Sequence, residues 1–161
     1  RDFSVEVTVG EGENVYMNPF RRLGLRYMEV FCEEPVEVDY ISVTPIFYPL
    51  AKVGNLPSGE LDRRIYEVSA RTLELCMHEH YEDCPWREQA LYTLDSRNQM
   101  LAGYEVFEDK NAEFVRANLD LISRGVRNDG ILALCYPAGL DFPIPFYTLA
   151  YIIQMDESNK L

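Results

Sequence analysis

The hydrophobic pattern changes its period near residue 55, and this change limits the folds that the sequence can adopt. Valine and phenylalanine alternate with polar residues over 3–9, and two later segments, 26–32 and 36–43, are rich in Tyr, Val, Ile and Phe. Period-two alternation is typical of strands with one buried face. After Pro57, apolar residues recur every three or four positions, as in helices. We therefore expect a mainly α chain with an N-terminal β part.

Four helices are predicted in the second part. The first is capped by Ser58 and carries a buried stripe of Leu61, Ile65, Val68, Thr72 and Leu75. It ends at Asp83-Cys84-Pro85, because proline favours the first turn of a new helix. The other three are predicted over 85–107, 111–124 (stopped by Gly125) and 145–155.

Composition excludes some classes of partner. Lys and Arg number 15 against 27 Asp and Glu, which gives a net charge of -12. Nucleic acids and anionic membranes both favour a basic surface, so we expect neither as a partner. No apolar run approaches the length of a membrane span. The first residue is Arg1 and no signal segment follows, so we expect the chain to begin inside a longer reading frame.

Cysteine and histidine cluster between residues 76 and 84, so a zinc site must be considered. On a helix Cys76, His80 and Cys84 share one face, but His78 points away from it. A helix break at 83–85 would also remove Cys84 from that row. We therefore expect no metal there, and the four cysteines of the chain to be buried free thiols.

A second set of polar residues lies at the start of the second predicted helix. Glu88, Tyr92, Asp95 and Gln99 are spaced by four, three and four, so on a helix they would form one stripe. Such a stripe is typical of a solvated face. It is also compatible with catalysis, because a carboxyl group that is desolvated beside other carboxylates can stay protonated and act as a general acid. Both interpretations stay open on spacing alone.

The segment Tyr81-Glu82-Asp83-Cys84-Pro85-Trp86-Arg87-Glu88, continuing through Tyr92 to Asp95, resembles the signature of bacterial α-L-rhamnosidases. The preceding 69–79 and the downstream 144–149 also look like segments of that family. The resemblance implies an (α/α)6 toroid that hydrolyses terminal α-L-rhamnosides with inversion, after a β-sandwich. We expect no cofactor.

The resemblance also implies roles for individual residues. Glu88 matches the general acid, and Asp83 and Arg87 match groups that hold the sugar hydroxyls. Asp95 matches one further carboxylate of the expected substrate site. Tyr92 and Tyr147 match two aromatic residues of that site, and the family usually has Trp at the position of Tyr92. This chain departs from the family's motif at Gln89, Leu91 and Leu94, which replace an arginine and two glycines, as well as at Tyr92.

The predicted domains are 1–55, the C-terminal strands of a β-sandwich, and 56–161, the first hairpins of an incomplete toroid. A closed toroid of twelve helices needs roughly 190 residues, whereas 106 of the 161 residues follow residue 55. The general base comes from a downstream part of the family's barrel, so we expect the isolated chain to be an inactive fragment. Its expected partners are a carbohydrate substrate and the rest of the parent chain, with self-association through exposed barrel surface.

Two alternatives remain. The chain could derive from a non-catalytic carbohydrate-binding or interaction module, which the departures at 89, 91, 92 and 94 favour. It could also belong to a different six-hairpin enzyme, such as a fucosidase-like hydrolase or a phosphorylase. The sequence leaves the compartment open between cytoplasmic and secreted.

Overall fold

The computed structural model describes residues 3–53, 56–108 and 111–160. Within these ranges the secondary structure consists of four helices joined by irregular segments and isolated bridges, with no regular strand. The helices are α1 (Glu60–Leu75), α2 (Thr93–Val106), α3 (Asn111–Ser123) and α4 (Pro145–Ser158).

The predicted N-terminal β part is wrong for the described residues. Residues 3–47 carry no strand, and the first backbone pairing of this part is that of Tyr48 N–H with the carbonyl of Met77, at 2.9 Å. Val5, Val7 and Val9, expected to face a core, are 39%, 44% and 51% exposed. Alternation marks a face that is suited to burial, but a strand also needs neighbouring strands for its N–H and C=O groups. The described chain supplies none.

Helix α1 exists, but it ends at Leu75 instead of the predicted 83–85, and its buried stripe was predicted wrongly. Leu61, Ile65 and Val68 are exposed, whereas Ala70 and Leu73 are buried. The helix caps on Gly59 without a side-chain hydrogen bond, so Ser58 is not its cap. Tyr66, Ala70 and Leu73 are the residues of α1 that pack on the core, whereas its first turn faces solvent.

Helix α2 begins eight residues later than predicted, at Thr93 instead of Pro85. The intervening residues form a closed loop in which the Ala90 N–H donates to Asp83 Oδ1 and the Asp83 N–H donates to the Ala90 carbonyl, both at 3.0 Å. Gln89 adopts a positive φ of 53°. A left-handed residue interrupts a right-handed helix, so the helical stripe predicted from Glu88 to Gln99 does not exist as such.

The third and fourth helices agree closely with the predicted positions. Helix α3 spans 13 residues from Asn111, and α4 begins at Pro145 with proline in its first turn. In the described residues much of the apolar surface of α4 is exposed, at Phe146, Leu149, Ile152 and Ile153.

The core lies between the helices, with α2 in contact with each of the other three. Its centre is the buried Tyr81, whose ring meets Phe114 of α3 edge-on at 4.7 Å between centroids. The Tyr81 N–H donates to Oδ1 of the buried Asn118 at 2.8 Å. This contact fixes the loop before α2 to α3.

Helical content of this kind fits part of an α-toroid. The division of the chain into 1–55 and 56–161 stays a prediction, since residue 55 lies outside the described residues. No helix in the described ranges combines the length and the apolar character needed to cross a bilayer.

Candidate functional site

The loop between α1 and α2 carries the predicted acid. The Glu82 N–H donates to the carbonyl of Cys76 at 2.8 Å, and two hydrogen bonds between Asp83 and Ala90 close the turn beyond it. The side chain of Gln89 donates to the carbonyl of Pro85 at 3.1 Å. These bonds fold residues 83–90 back on themselves, which brings Glu88 beside Asp83.

Asp83, Cys84 and Glu88 form a compact cluster. One ligand-type atom from each of the three lies within 4.8 Å of the others. The Cys84 thiol lies 3.2 Å from Oε2 of Glu88, and Nε of Arg87 donates to Oε1 at 2.8 Å. The Arg87 side chain is 79% exposed and that of Glu88 is 28% exposed, so the cluster opens to solvent at Arg87.

The electrostatics of this cluster favour an ionised Glu88. The hydrogen bond from Arg87, followed by that from Cys84, lowers the pKa of Glu88 to about 2. A general acid must instead hold its proton near the working pH. In the arrangement of the structure, Glu88 is therefore a carboxylate bound to a guanidinium.

The same three side chains are the residues that could hold a cation. Two carboxylates and a thiol are suitable ligands, but Arg87 already neutralises one of the carboxylates. The histidines considered for zinc make other contacts. Nδ1 of His78 lies 3.3 Å from Oε2 of Glu82, and Nδ1 of His80 lies 2.7 Å from the carbonyl oxygen of Tyr81.

Asp95 lies in the first turn of α2, close enough to Asp83 and Glu88 for their charges to act on it. Burial, followed by the charges of Asp83 and Glu88, raises the pKa of Asp95. Its environment thus shifts the carboxyl group toward the protonated form, the direction opposite to that of Glu88. The site consequently contains carboxyl groups whose pKa values are pushed apart.

Tyr92 and Tyr147 place two aromatic rings near the same carboxylates. Tyr92 immediately precedes α2 and Tyr147 is in the first turn of α4; their ring centroids are 6.4 Å apart at 61°. The pKa of Tyr92 is raised by burial and by several neighbours that include Glu88 and Asp83, and that of Tyr147 is raised by burial and by Asp95. The N-terminal ends of α2 and α4 therefore meet at the carboxylates, where the helix dipoles favour negative charge.

The structure brings all six predicted site residues into one neighbourhood, with Arg87 at its exposed edge. Sequence reasoning missed the thiol contact of Cys84 and the role of Gln99, whose side chain donates to the carbonyl of Glu82 at 2.6 Å. It also missed Arg22, which forms an ion pair with the buried Glu82 at 2.5 Å. Asp-Cys-Pro in the sequence indicated the thiol, but no local pattern indicates a partner sixty residues upstream.

Carboxylates beside tyrosine rings at two helix N-termini form an arrangement that suits a polyhydroxylated ligand. Carboxylates accept hydrogen bonds from hydroxyl groups, and aromatic faces pack on the C–H face of a sugar ring. The arrangement is compatible with such a ligand.

Comparison with known proteins is informative only among solved structures. No protein-family model and no curated protein matches the chain. Among solved structures, the chain is similar to the GH78 family rhamnosidase of Bacillus sp. GL1, with a TM-score of 0.64 and 31% sequence identity. The similarity covers 70% of this chain and 12% of that one, so this chain corresponds to a small part of the rhamnosidase. At this coarse level the chain resembles a segment of a glycoside hydrolase.

Proposed function

We propose that this chain is part of an inverting glycoside hydrolase that removes terminal α-L-rhamnose from glycans or glycosides. The observation that carries the proposal is the convergence of Asp83, Glu88 and Asp95 with two tyrosines at the N-termini of α2 and α4. The similarity to a rhamnosidase at 31% identity supports the choice of sugar.

Glu88 is the proposed general acid, and Asp83, Arg87 and Asp95 bind the sugar hydroxyls. Tyr92 and Tyr147 pack on the ring. Cleavage of a glycosidic bond leaves an alkoxide unless a proton reaches the departing oxygen, so one carboxyl group must donate it. Inversion also requires a second carboxylate about 6.5–9.5 Å from the first, to activate water on the opposite face. We propose that this base comes from a part of the longer protein outside this chain.

The ion pair between Arg87 and Glu88 must open before Glu88 can act as an acid. The proposed sugar contact of Arg87 removes the largest cause of the low pKa, and exclusion of water from Glu88 by the bound sugar would raise the pKa further. The Arg87 side chain is largely exposed, so a bound sugar can reach it. Substrate binding would then raise the pKa of Glu88 at the moment when a proton is needed.

Hydrolysis of nitrophenyl α-L-rhamnoside tests the proposal. We expect the longer protein to release nitrophenol and this chain alone to release none, because the chain lacks the base. Turnover by the isolated chain would refute the proposal that the general base lies outside it. If the longer protein hydrolyses another aryl glycoside of a panel but not the rhamnoside, the proposed specificity for rhamnose is refuted.

A non-catalytic carbohydrate-binding module is the second candidate. The ion-paired Glu88 favours it, since a pKa of about 2 is suitable for accepting hydrogen bonds and unsuitable for donating a proton. Binding of rhamnose by the longer protein without hydrolysis of any aryl glycoside would support this candidate over the first.

A further inference from the structure

Glu82 is a buried carboxylate that lies directly behind the site. Its side chain is fully buried, with Nη2 of Arg22 at 2.5 Å from Oε1 and Nδ1 of His78 at 3.3 Å from Oε2. Burial alone would raise the pKa of Glu82, but the contacts and charges of His78 and Arg22 outweigh it and lower the pKa. A carboxylate without water depends on such partners, so Arg22 holds Glu82 in place.

The backbone of Glu82 is fixed as well. Its N–H donates to Cys76 and its carbonyl accepts from Gln99, as described above. The next residue is Asp83, whose carboxylate and N–H close the loop onto Ala90. A displacement of Glu82 therefore passes directly to Asp83 and to the turn that carries Glu88.

The segment around Arg22 lies against the same loop through its backbone. A Cβ added to Gly24 would lie 2.4 Å from the carbonyl oxygen of Pro85, so only glycine permits this approach. The Arg22 carbonyl also accepts a long hydrogen bond from the Gln89 side chain, at 3.5 Å. The N-terminal segment thus contacts the loop both at Glu82, where the loop begins, and at its turn.

We propose that Arg22 is a positioning residue of the site: through its ion pair with Glu82, the N-terminal segment sets the orientation of the loop that carries Asp83 and Glu88. The inference rests on the proposed function. Arg22 touches no proposed substrate group, and it acts through Glu82.

Amide hydrogen exchange on this chain tests the structural half of the proposal without any substrate. We expect Arg22→Met to accelerate exchange at Asp83 and Ala90 by about tenfold or more, while amides in α3 stay protected. Arg22→Lys keeps the charge and should restore part of the protection. The matched control is Arg124→Met, which removes one positive charge from an exposed ion pair with Asp120 and should change neither amide.

Unchanged exchange at Asp83 and Ala90 in Arg22→Met would overturn the proposal. If that variant unfolds, which loss of protection in α3 would reveal, Gly24→Ala provides the second test. It displaces the segment while keeping Arg22 and Glu82. Normal exchange of the two amides in Gly24→Ala would then overturn the proposal.

Kinetics of the longer protein test the catalytic half. We expect Arg22→Met to lower kcat about tenfold or more for rhamnosides with poor leaving groups and much less for those with good ones, because a misplaced acid matters only when a proton is needed. Arg22→Lys should recover most of the rate. A purely structural role lowers both rates equally, and that outcome contradicts positioning. Absence of all rhamnoside hydrolysis by the unsubstituted protein would refute the proposed function, while the exchange result still decides whether Arg22 orders the loop.

Discussion

Replacement of Arg87 by methionine should raise the pKa of Glu88. Methionine keeps much of the length of the side chain and removes its charge and its donors. The Arg87 hydrogen bond is the largest cause of the low pKa, about 2, against an ordinary value of 4.5. Neighbouring opposite charges shift carboxyl pKa values by about 1–3. Because the Cys84 contact remains, we expect a rise of about 1–2, which stops short of the ordinary value.

The change is measured by following the Glu88 side-chain carboxyl carbon by NMR as pH is varied. The direction of the pKa shift also predicts how the free energy of unfolding depends on pH. Because the folded pKa lies below the ordinary one, ionised Glu88 stabilises the fold above about pH 4.5, and this contribution is lost as pH falls through about 2. In Arg87→Met the contribution should be smaller and should be lost at a higher pH.

The control for this experiment is Arg97→Met. Arg97 pairs with Glu157, with Nε 2.7 Å from Oε2, on the contact between α2 and α4. Its removal changes the net charge equally and should leave the Glu88 titration where it is. A pKa of Glu88 that stays at about 2 in Arg87→Met would refute the assignment of Arg87 as the main cause. Equal rises in both variants would show that net charge, and not the local pair, sets the value.

Three other substitutions have clear expected outcomes. Gly24→Ala should destabilise the chain by about 1–3 kcal/mol in urea unfolding, because its Cβ would meet the Pro85 carbonyl; an unchanged midpoint would contradict that contact. Asn118→Ala leaves the buried N–H of Tyr81 without its acceptor and should cost about 1–3 kcal/mol, so a cost near zero would show that the bond is dispensable. The raised pKa of Asp95 means that its ionised form opposes folding, so Asp95→Asn should stabilise the chain at neutral pH and lose that advantage as pH falls through the raised pKa. A gain that is independent of pH would contradict this electrostatic origin.

The helices could be predicted from the sequence where local signals decide. Proline at the first position of α4 and Gly125 after α3 led to helix boundaries that agree with the structure to within one residue. The start of α2 was predicted wrongly because proline is favourable in a turn as well as in the first turn of a helix. The bonds between Asp83 and Ala90, which make that turn, depend on the path of the backbone and leave no periodic signal.

The predictions of an N-terminal strand and of the buried stripe of α1 were wrong for a related reason. Alternating valines over 3–9 and the spacing of Leu61, Ile65 and Val68 both indicate faces that suit burial. Whether such a face is covered depends on what lies opposite, and that is a property of the fold and not of the segment. All the site residues except Tyr147 came from the motif itself, so their proximity could be predicted, whereas the ion pair of Glu88 with Arg87 could not.

The most direct test of the account is the dependence of Glu88→Gln on the leaving group in the longer protein. Glutamine keeps the shape of the side chain and cannot donate a proton. We expect the rate for phenyl α-L-rhamnoside to fall by about 10²–10⁴-fold and the rate for the dinitrophenyl compound, whose leaving group needs little protonation, to fall far less. Equal losses for both substrates would contradict the account and remove Glu88 from the acid role.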